Sequence, residues 1–345
     1  MFASTASVMG ARVSGTARRA STVLVTLLGL LALTFFIGRV MPLDPVLAVV
    51  GPDADSSTYD QVYRAMGLDK PIWVQFGLYL NDLLHGDFGN ALLTGHPVLE
   101  DIKRVFPATI ELATLAILFG VLIGLPLGVV AASNQGRVGD HVARVITLFG
   151  YSTPIFWVGM MGLLVFYAWL GWAGGAGRID LAYDGMVDEV TGLLLIDTAL
   201  ARDWEALTSA VRHIVLPALI LGLNSVAYIS RMTRSFMLEQ LSQEYIITAR
   251  VKGLSRRQVV WNHAFRNILV QLLTVVALAY GSLLEGAVLI ETVFAWPGFG
   301  QYLTSSLMLG DMNAVMGCVL IIGLIFVALN LISDALYKVF DPRTR

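Results

Sequence analysis

Six long stretches of this chain are apolar on every side, and polar or charged residues return between them. They lie at residues 23–40, 108–132, 145–169, 214–228, 268–290 and 314–336. An apolar helix of about 18 residues or more crosses the roughly 30 Å hydrocarbon core of a bilayer. The pattern therefore predicts an all-α integral membrane protein with six transmembrane helices. Charge inside these stretches reduces to Arg39 at an end, Glu111, Glu285 and Asp334. A carboxylate is costly in lipid, so Glu285 is a candidate lining of a polar pathway, and Asp334 is expected to pair with a nearby base.

The connections differ in character. Residues 41–107 contain "LDKPIWVQFGLYLNDLLHGDFG", which reads as short amphipathic helices with Gly and Pro stops, a small ordered cap. Residues 170–213 form an acidic insertion carrying Asp180, Asp184, Asp188, Glu189, Asp197, Asp203 and Glu205, and part of it is expected to be disordered. Residues 1–22, 231–267, 291–313 and 337–345 complete the chain. No internal repeat is present.

Composition agrees with the pattern. Of 345 residues, 56% are hydrophobic and 14% charged, and the mean hydropathy is +0.72. Soluble domains carry about a quarter charged residues. The net charge of −2 gives no support to a nucleic-acid partner. Cys318 stands alone within an apolar run, and the five histidines are scattered, so neither a disulfide nor a metal site is expected.

Lysine and arginine set the orientation, because they concentrate in cytoplasmic connections. One side holds Arg12, Arg18 and Arg19, then Arg137 and Arg144, then seven in residues 231–267, then Lys338, Arg343 and Arg345. The other side holds seven in all, with many more acids. Both termini and residues 231–267 are therefore expected in the cytoplasm. The first stretch is longer than a signal-peptide core and lacks a clean cleavage site, so it is expected to be a retained anchor.

Within the spans, Gly120, Gly124 and Gly128 recur at spacing four and predict a groove for close approach of another helix. Pro126, Pro154 and Pro217 lie in or near spans and predict kinks or freed backbone carbonyls.

The most basic segment is "QEYIITARVKGLSRRQVVWNHAFRN", residues 243–267. Residues 243–252 favour helix, and Gly253 suits the left-handed position that ends one. Ser255 and Gln258 have capping-box spacing, so a second helix should begin there. A single arginine here needs only the charge rule to explain it; an ordered helix, turn and helix between the fourth and fifth spans needs more. Such an element could turn motion of a partner into motion of the bundle.

These residues resemble the cytoplasmic signature of permease subunits of bacterial ABC importers in the dipeptide, oligopeptide and nickel family. The matching positions are Tyr245, Thr248, Ala249, Arg250, Lys252, Gly253, Leu254, Ser255, His263, Ala264, Arg266 and Asn267, and Arg256 is read with them as a coupling candidate. Further similar motifs, in the same order, are "MPLDP", "GLDKPIWVQF", "GDFGNAL", "RVFPATIELA", "STPIFWVG", "LPALILGL", "ETVFAWPGFG" and "LYKVFDPR". Two features depart from the broader importer pattern. Ile247 stands at its Glu position and Phe265–Arg266 at its Leu–Pro position, which fits the peptide branch; the acidic insertion is long.

The resemblance implies the type I importer permease fold in a bacterial inner membrane, with a coupling-helix pair between helices 4 and 5. It implies a homologous second permease, one or two cytoplasmic ATPases holding ATP and Mg, and an extracytoplasmic binding protein. It assigns the positions from Tyr245 to His263 to ATPase coupling. The substrate would be a di- or oligopeptide, with nickel complexes and glutathione as alternatives within the family. The chain has no Gly-Lys phosphate loop and is not itself expected to hydrolyse ATP. Glu291, Pro297 and Gly298 in "ETVFAWPGFG" are candidates for an outer gate, with a purely structural turn as the alternative. An ATP-independent carrier would more often show paired repeats and broken helices, and a membrane enzyme would need convergent catalytic groups. Neither pattern occurs.

Overall fold

Long apolar sequence with few breakers gives long helices. The computed structural model describes residues 21–38, 45–51 and 53–340, and among them there is no strand, only a backbone bridge between Asn90 and Pro97. In chain order the helices are α1 (Ser21–Gly38), α2 (Pro45–Val50), α3 (Ser56–Ala65), α4 (Ile72–Leu84), α5 (Val98–Ser133), α6 (Val138–Ser152) and α7 (Ile155–Gly162). There follow α8 (Leu194–Leu200), α9 (Trp204–Leu241), α10 (Glu244–Val251), α11 (Arg256–Gln258), α12 (Arg266–Val293), α13 (Phe299–Leu309) and α14 (Met312–Phe340). π-helical turns extend α7 over Leu163–Trp169 and join α11 to α12 over Val259–Phe265.

Among the described residues five helices are long and apolar enough to cross a membrane, and six if α6 and α7 count as one bent span. The chain divides into two units, one of residues through Lys103 with Ser305–Ala328, the other of Arg104–Thr304 with the residues from Leu329 on.

In the first unit the short helices α2 to α4 occupy the region expected as a cap. Asp55 caps α3 by accepting from the Thr58 N–H at 3.2 Å. Gly67 and Gly86, with φ of +67° and +80°, follow α3 and α4 in the left-handed conformation that stops a helix. Asp311 accepts from the N–H of Leu92 and, at 3.1 Å, from that of Ala314, which caps α14.

The second unit is built on α5, α9 and α12. Leu112, Ala116, Ile220, Leu221, Leu283 and Ile290 belong to its buried core. The predicted glycine groove on α5 is filled by α9. A Cβ on Gly120 would lie 2.6 Å from Cβ of Ser225, and one on Gly128 2.6 Å from the carbonyl oxygen of Ser230. Only hydrogen at these positions lets the backbones meet.

Several expectations are corrected. The fourth span, read as 214–228, is part of a 38-residue helix, about 57 Å long, that overhangs a bilayer core on both sides. Its polar residues Ser209, His213, Ser230 and Thr233 are buried, so tertiary packing carries helix where hydropathy fades. The third span, read as one helix over 145–169, is two helices bent by 97° at Thr153 and Pro154. The kink expected at Pro154 is this bend, while α5 and α9 remain helical through Pro126 and Pro217. The insertion is ordered, not partly disordered: it holds α8 and the start of α9 and is anchored by the buried Asp197. Residues 39–44, the tail 341–345 and the side chain of Asp334 lie outside what is described.

Candidate functional site

The segment 243–267 forms the expected helix, turn and helix. α10 ends at Val251, Lys252 follows, and Gly253 has φ +81° with open space where a side chain would be. Ser255 then caps α11: its N–H donates to Gln258 Oε1 at 3.0 Å, and its hydroxyl receives the Gln258 N–H. One part departs from expectation. The second helix is no separate surface piece; it runs without a break from Arg256 through the π turn to Val293. Anything that moves α10 and its turn therefore pulls directly on the fifth span.

α10 is two-faced. Ile246 and Ala249 are buried against Val129 and Ala132 of α5, Met237 of α9, and Val260. Thr248, Arg250 and Lys252 are exposed beside Ile247 and Val251, the last 82% exposed. Apolar and basic side chains together on a helix fixed from behind form a surface suited to a protein partner. Tyr245 fixes the element sideways: its hydroxyl donates to Gln240 Oε1 at 2.8 Å and accepts from Asn267 Nδ2 at 2.9 Å. Leu254 is half-buried with its N–H on the Ala249 carbonyl at 3.3 Å, and His263 is half-buried in the π turn.

Sequence reasoning missed the residue beneath this element. Asp140, fully buried, accepts from Arg144 Nη2 at 2.6 Å, Arg234 Nε at 2.8 Å and the Gly136 N–H at 3.0 Å. Arg256 donates to the Ser133 carbonyl and, at 3.1 Å, to Asn134 Oδ1 of the same loop. One carboxylate thus joins α6, α9 and the loop that Arg256 grips. The only visible signal was the Asp140–Arg144 spacing of four; Arg234 is 94 positions away.

A second locus lies along α9 and α12. A cavity of about 320 Å³ is lined by Tyr151, Asn224, Ser225, Tyr228 and Ser282 among apolar neighbours. Asn224 and Ser282 are exposed, and so is Glu285, which lies on α12 but is not among the residues lining this cavity. The Arg231 guanidinium stacks 5.3 Å from the Tyr151 ring. An exposed carboxylate within a span is expected to face water or protein, not lipid.

The third locus is the turn after α12. Glu291 is fully buried, accepting from Thr109 Oγ1 at 2.5 Å and from the Gln301 N–H at 3.0 Å. Thr109 Oγ1 in turn receives the Phe299 N–H at 2.8 Å. Gly298 is required here, since a Cβ would run into the Glu291 carboxylate. Ala295 has φ +46°, a left-handed conformation disfavoured for a residue with a Cβ. Trp296 is buried, with Nε1 donating to the Ala108 carbonyl at 3.0 Å, while Pro297 is exposed. Glu291 and Gly298 are thus brought together as the frame of a built turn. Glu285 and Glu291 share a helix but have opposite surroundings.

The family described as the inner membrane component of binding-protein-dependent transport systems matches residues 124–345, and its N-terminal companion matches residues 14–113. A probable D,D-dipeptide transport system permease of Escherichia coli is 42% identical over 91% of this chain and 92% of its own. A di/tripeptide transport system permease of Pseudomonas aeruginosa is 41% identical over 95% of this chain and 98% of its own. The dipeptide transport system permease of Escherichia coli is 40% identical over 95% and 97%.

Proposed function

This chain belongs to the inner-membrane component family of binding-protein-dependent transport systems, and from that premise we propose how it works: as the permease subunit of an ATP-driven importer of di- or oligopeptides. The observation that carries the mechanism is the coupling element, a helix and Gly turn fixed from behind and exposed in front, continuous with the fifth span. A cytoplasmic ATPase binds the face of Ile247, Thr248, Arg250, Val251 and Lys252. ATP and Mg sit on that partner, and this chain supplies no phosphate loop. A homologous second permease completes the pathway, and a binding protein delivers peptide from outside. In this reading the protein lies in a bacterial inner membrane with both termini in the cytoplasm.

The continuous helix from Arg256 to Val293, about 57 Å long, holds the coupling turn at one end and the Glu291 turn at the other. Closure of the ATPases shifts α10, α10 moves the helix that continues into α12, and α12 carries the shift to the outer turn. The cavity by Asn224 and Ser282 is the part of the route this chain contributes. Alternating access needs only that the two states differ in their contacts with ATPase and substrate.

The test is to tag the C-terminus, extract the chain gently from its host, and identify copurifying polypeptides. A second multi-span permease together with ATPases is the expected result. Recovery of the chain alone, under conditions that preserve known complexes, overturns the reading.

A further inference from the structure

The acidic insertion between α7 and α9 has no part in the mechanism above, yet it is anchored with care. Residues 178–192 leave and return to one place, and Arg178 closes that neck. Its Nη2 donates to Glu111 Oε2 on α5 at 2.6 Å and to the Gly192 carbonyl at 3.2 Å. Its guanidinium carbon lies 5.7 Å from the centre of the Trp296 ring, in the turn after α12. Beside it, the Gly177 N–H donates to the Phe294 carbonyl at 2.9 Å. Ser209 Oγ holds Asp180 at 2.7 Å on the outgoing strand of chain. On the return, Asp197 accepts from the N–H groups of Thr191 and Gly192 at 2.9 and 3.0 Å.

Between these fixed ends the Tyr183 hydroxyl donates to Glu205 Oε2 at 3.3 Å, and most of the loop is exposed. Leu181, Met186 and Val190 are 91%, 70% and 73% exposed, interleaved with the exposed Asp184, Asp188 and Glu189. The acids keep this loop out of lipid. Apolar side chains ringed by charge of one sign fit a protein face with an apolar patch rimmed by lysine and arginine.

We propose that residues 179–191 receive the extracytoplasmic binding protein, and that Arg178 at the neck passes its docking to the Trp296 turn and to α5. This rests on the importer reading, which puts the insertion outside and supplies the partner. Arg178 is a positioning residue. It touches no substrate, but it bonds two segments and stacks on a third: α5 through Glu111, the return of the loop through Gly192, and the turn through Trp296. A load on the loop therefore reaches the turn and α5 together. Arg178 engages its acceptors through one terminal nitrogen, short of the two-pronged pairing that arginine and carboxylate can form, which leaves room for a second arrangement.

The complex recovered on the tagged chain, reconstituted with its binding protein, provides the test. Charge reversal at the tip (Asp184→Lys with Asp188→Lys) is expected to weaken docking about tenfold and flatten its salt dependence, as rim charges govern both. Arg178→Ala is expected to leave docking within about twofold and to lower maximal stimulation of ATPase turnover about fivefold or more, with partial recovery in Arg178→Lys. Co-recovery of the ATPase with each variant shows that it has folded. Should Arg178→Ala fail to assemble, Glu111→Gln removes the charge on the other partner while keeping an acceptor for the Leu195 N–H. Docking unmoved by the tip reversal, or full stimulation in the neck variant, overturns the proposal. An unmodified complex that no binding protein stimulates overturns the importer reading instead.

Discussion

Thr109 on α5 and Glu291 at the end of α12 are 182 residues apart in sequence and share a 2.5 Å hydrogen bond that is buried. The threonine hydroxyl is used twice, donating to the carboxylate and accepting from Phe299 N–H at 2.8 Å. The turn after α12 is therefore fastened to α5 through one side chain. Glu291→Ala leaves Thr109 and the Gln301 N–H without an acceptor and opens a hole. The expected cost is about 3 kcal/mol, read as a lowered thermal midpoint of the purified protein. Thr109→Val, which keeps the shape but drops the hydroxyl, should cost about 1–2 kcal/mol. A Glu291→Ala protein as stable as the parent would show that the carboxylate does not frame the turn.

Two glycines invite the same substitution for unrelated reasons. At Gly128 a Cβ would meet the Ser230 carbonyl at 2.6 Å, so Gly128→Val should force α5 and α9 apart and cost about 3 kcal/mol. At Gly253 nothing lies within 4 Å, but φ is +81°. Gly253→Val should cost only about 1–2 kcal/mol of backbone strain, yet misdirect α11 and sever ATPase turnover from transport. Gly253→Asn, a residue that tolerates this conformation, should retain coupling. Equal transport per ATP in the Val and Asn variants would refute the role given to the turn.

Asp140 ties α6 and α9 to the loop gripped by Arg256. Asp140→Asn leaves Arg144 and Arg234 facing an amide, and a thermal midpoint lower by several degrees is expected. Arg256→Ala, which frees the loop without disturbing the buried pair, should lower coupled transport more than stability. Matched losses in both measurements for both variants would contradict that division.

The insertion should respond to acid. Burial penalises the charge of Asp197, but donors from Thr191 and Gly192 outweigh that penalty and hold its carboxyl below the usual aspartate range. A depressed folded value means that the stabilisation is complete above the unfolded value, about 3.9, and is lost as pH falls through the folded one. Hydrogen exchange of residues 178–200, corrected for intrinsic rates, should be flat from pH 7 to about 4 and rise below. Asp197→Asn should exchange faster at neutral pH and lose the acid step; retention of the step would assign it to another group.

What the sequence disclosed follows a physical division. Hydropathy found the spans because lipid imposes composition locally, and Ser255 with Gln258 announced a helix start because a capping box is closed within four residues. The glycine triplet on α5 foretold a close approach but not the partner, which is Ser225 to Thr233 of α9. The rest depended on contacts distant in sequence. Nothing near Asp140 points to Arg234, and nothing near Arg178 points to Glu111, 67 residues before it. The polar ends of α9 read as connection because their burial is supplied by other helices. The acidity of residues 170–213 suggested disorder only while Asp197 had no visible donors.

The π turn over Val259–Phe265 has one further consequence. Across it the buried positions Val260, Ala264, Ile268 and Leu272 come every fourth residue, a longer stride than the 3.6 of an α-helix. Each residue of an α-helix turns by about 100°, so a single extra residue sets the azimuth of everything beyond it. Were this turn to relax to ordinary α winding with every residue kept, Arg256 and the Gly253 turn would rotate by about 120° relative to the span. Every side chain of the signature would survive, aimed at the wrong quadrant.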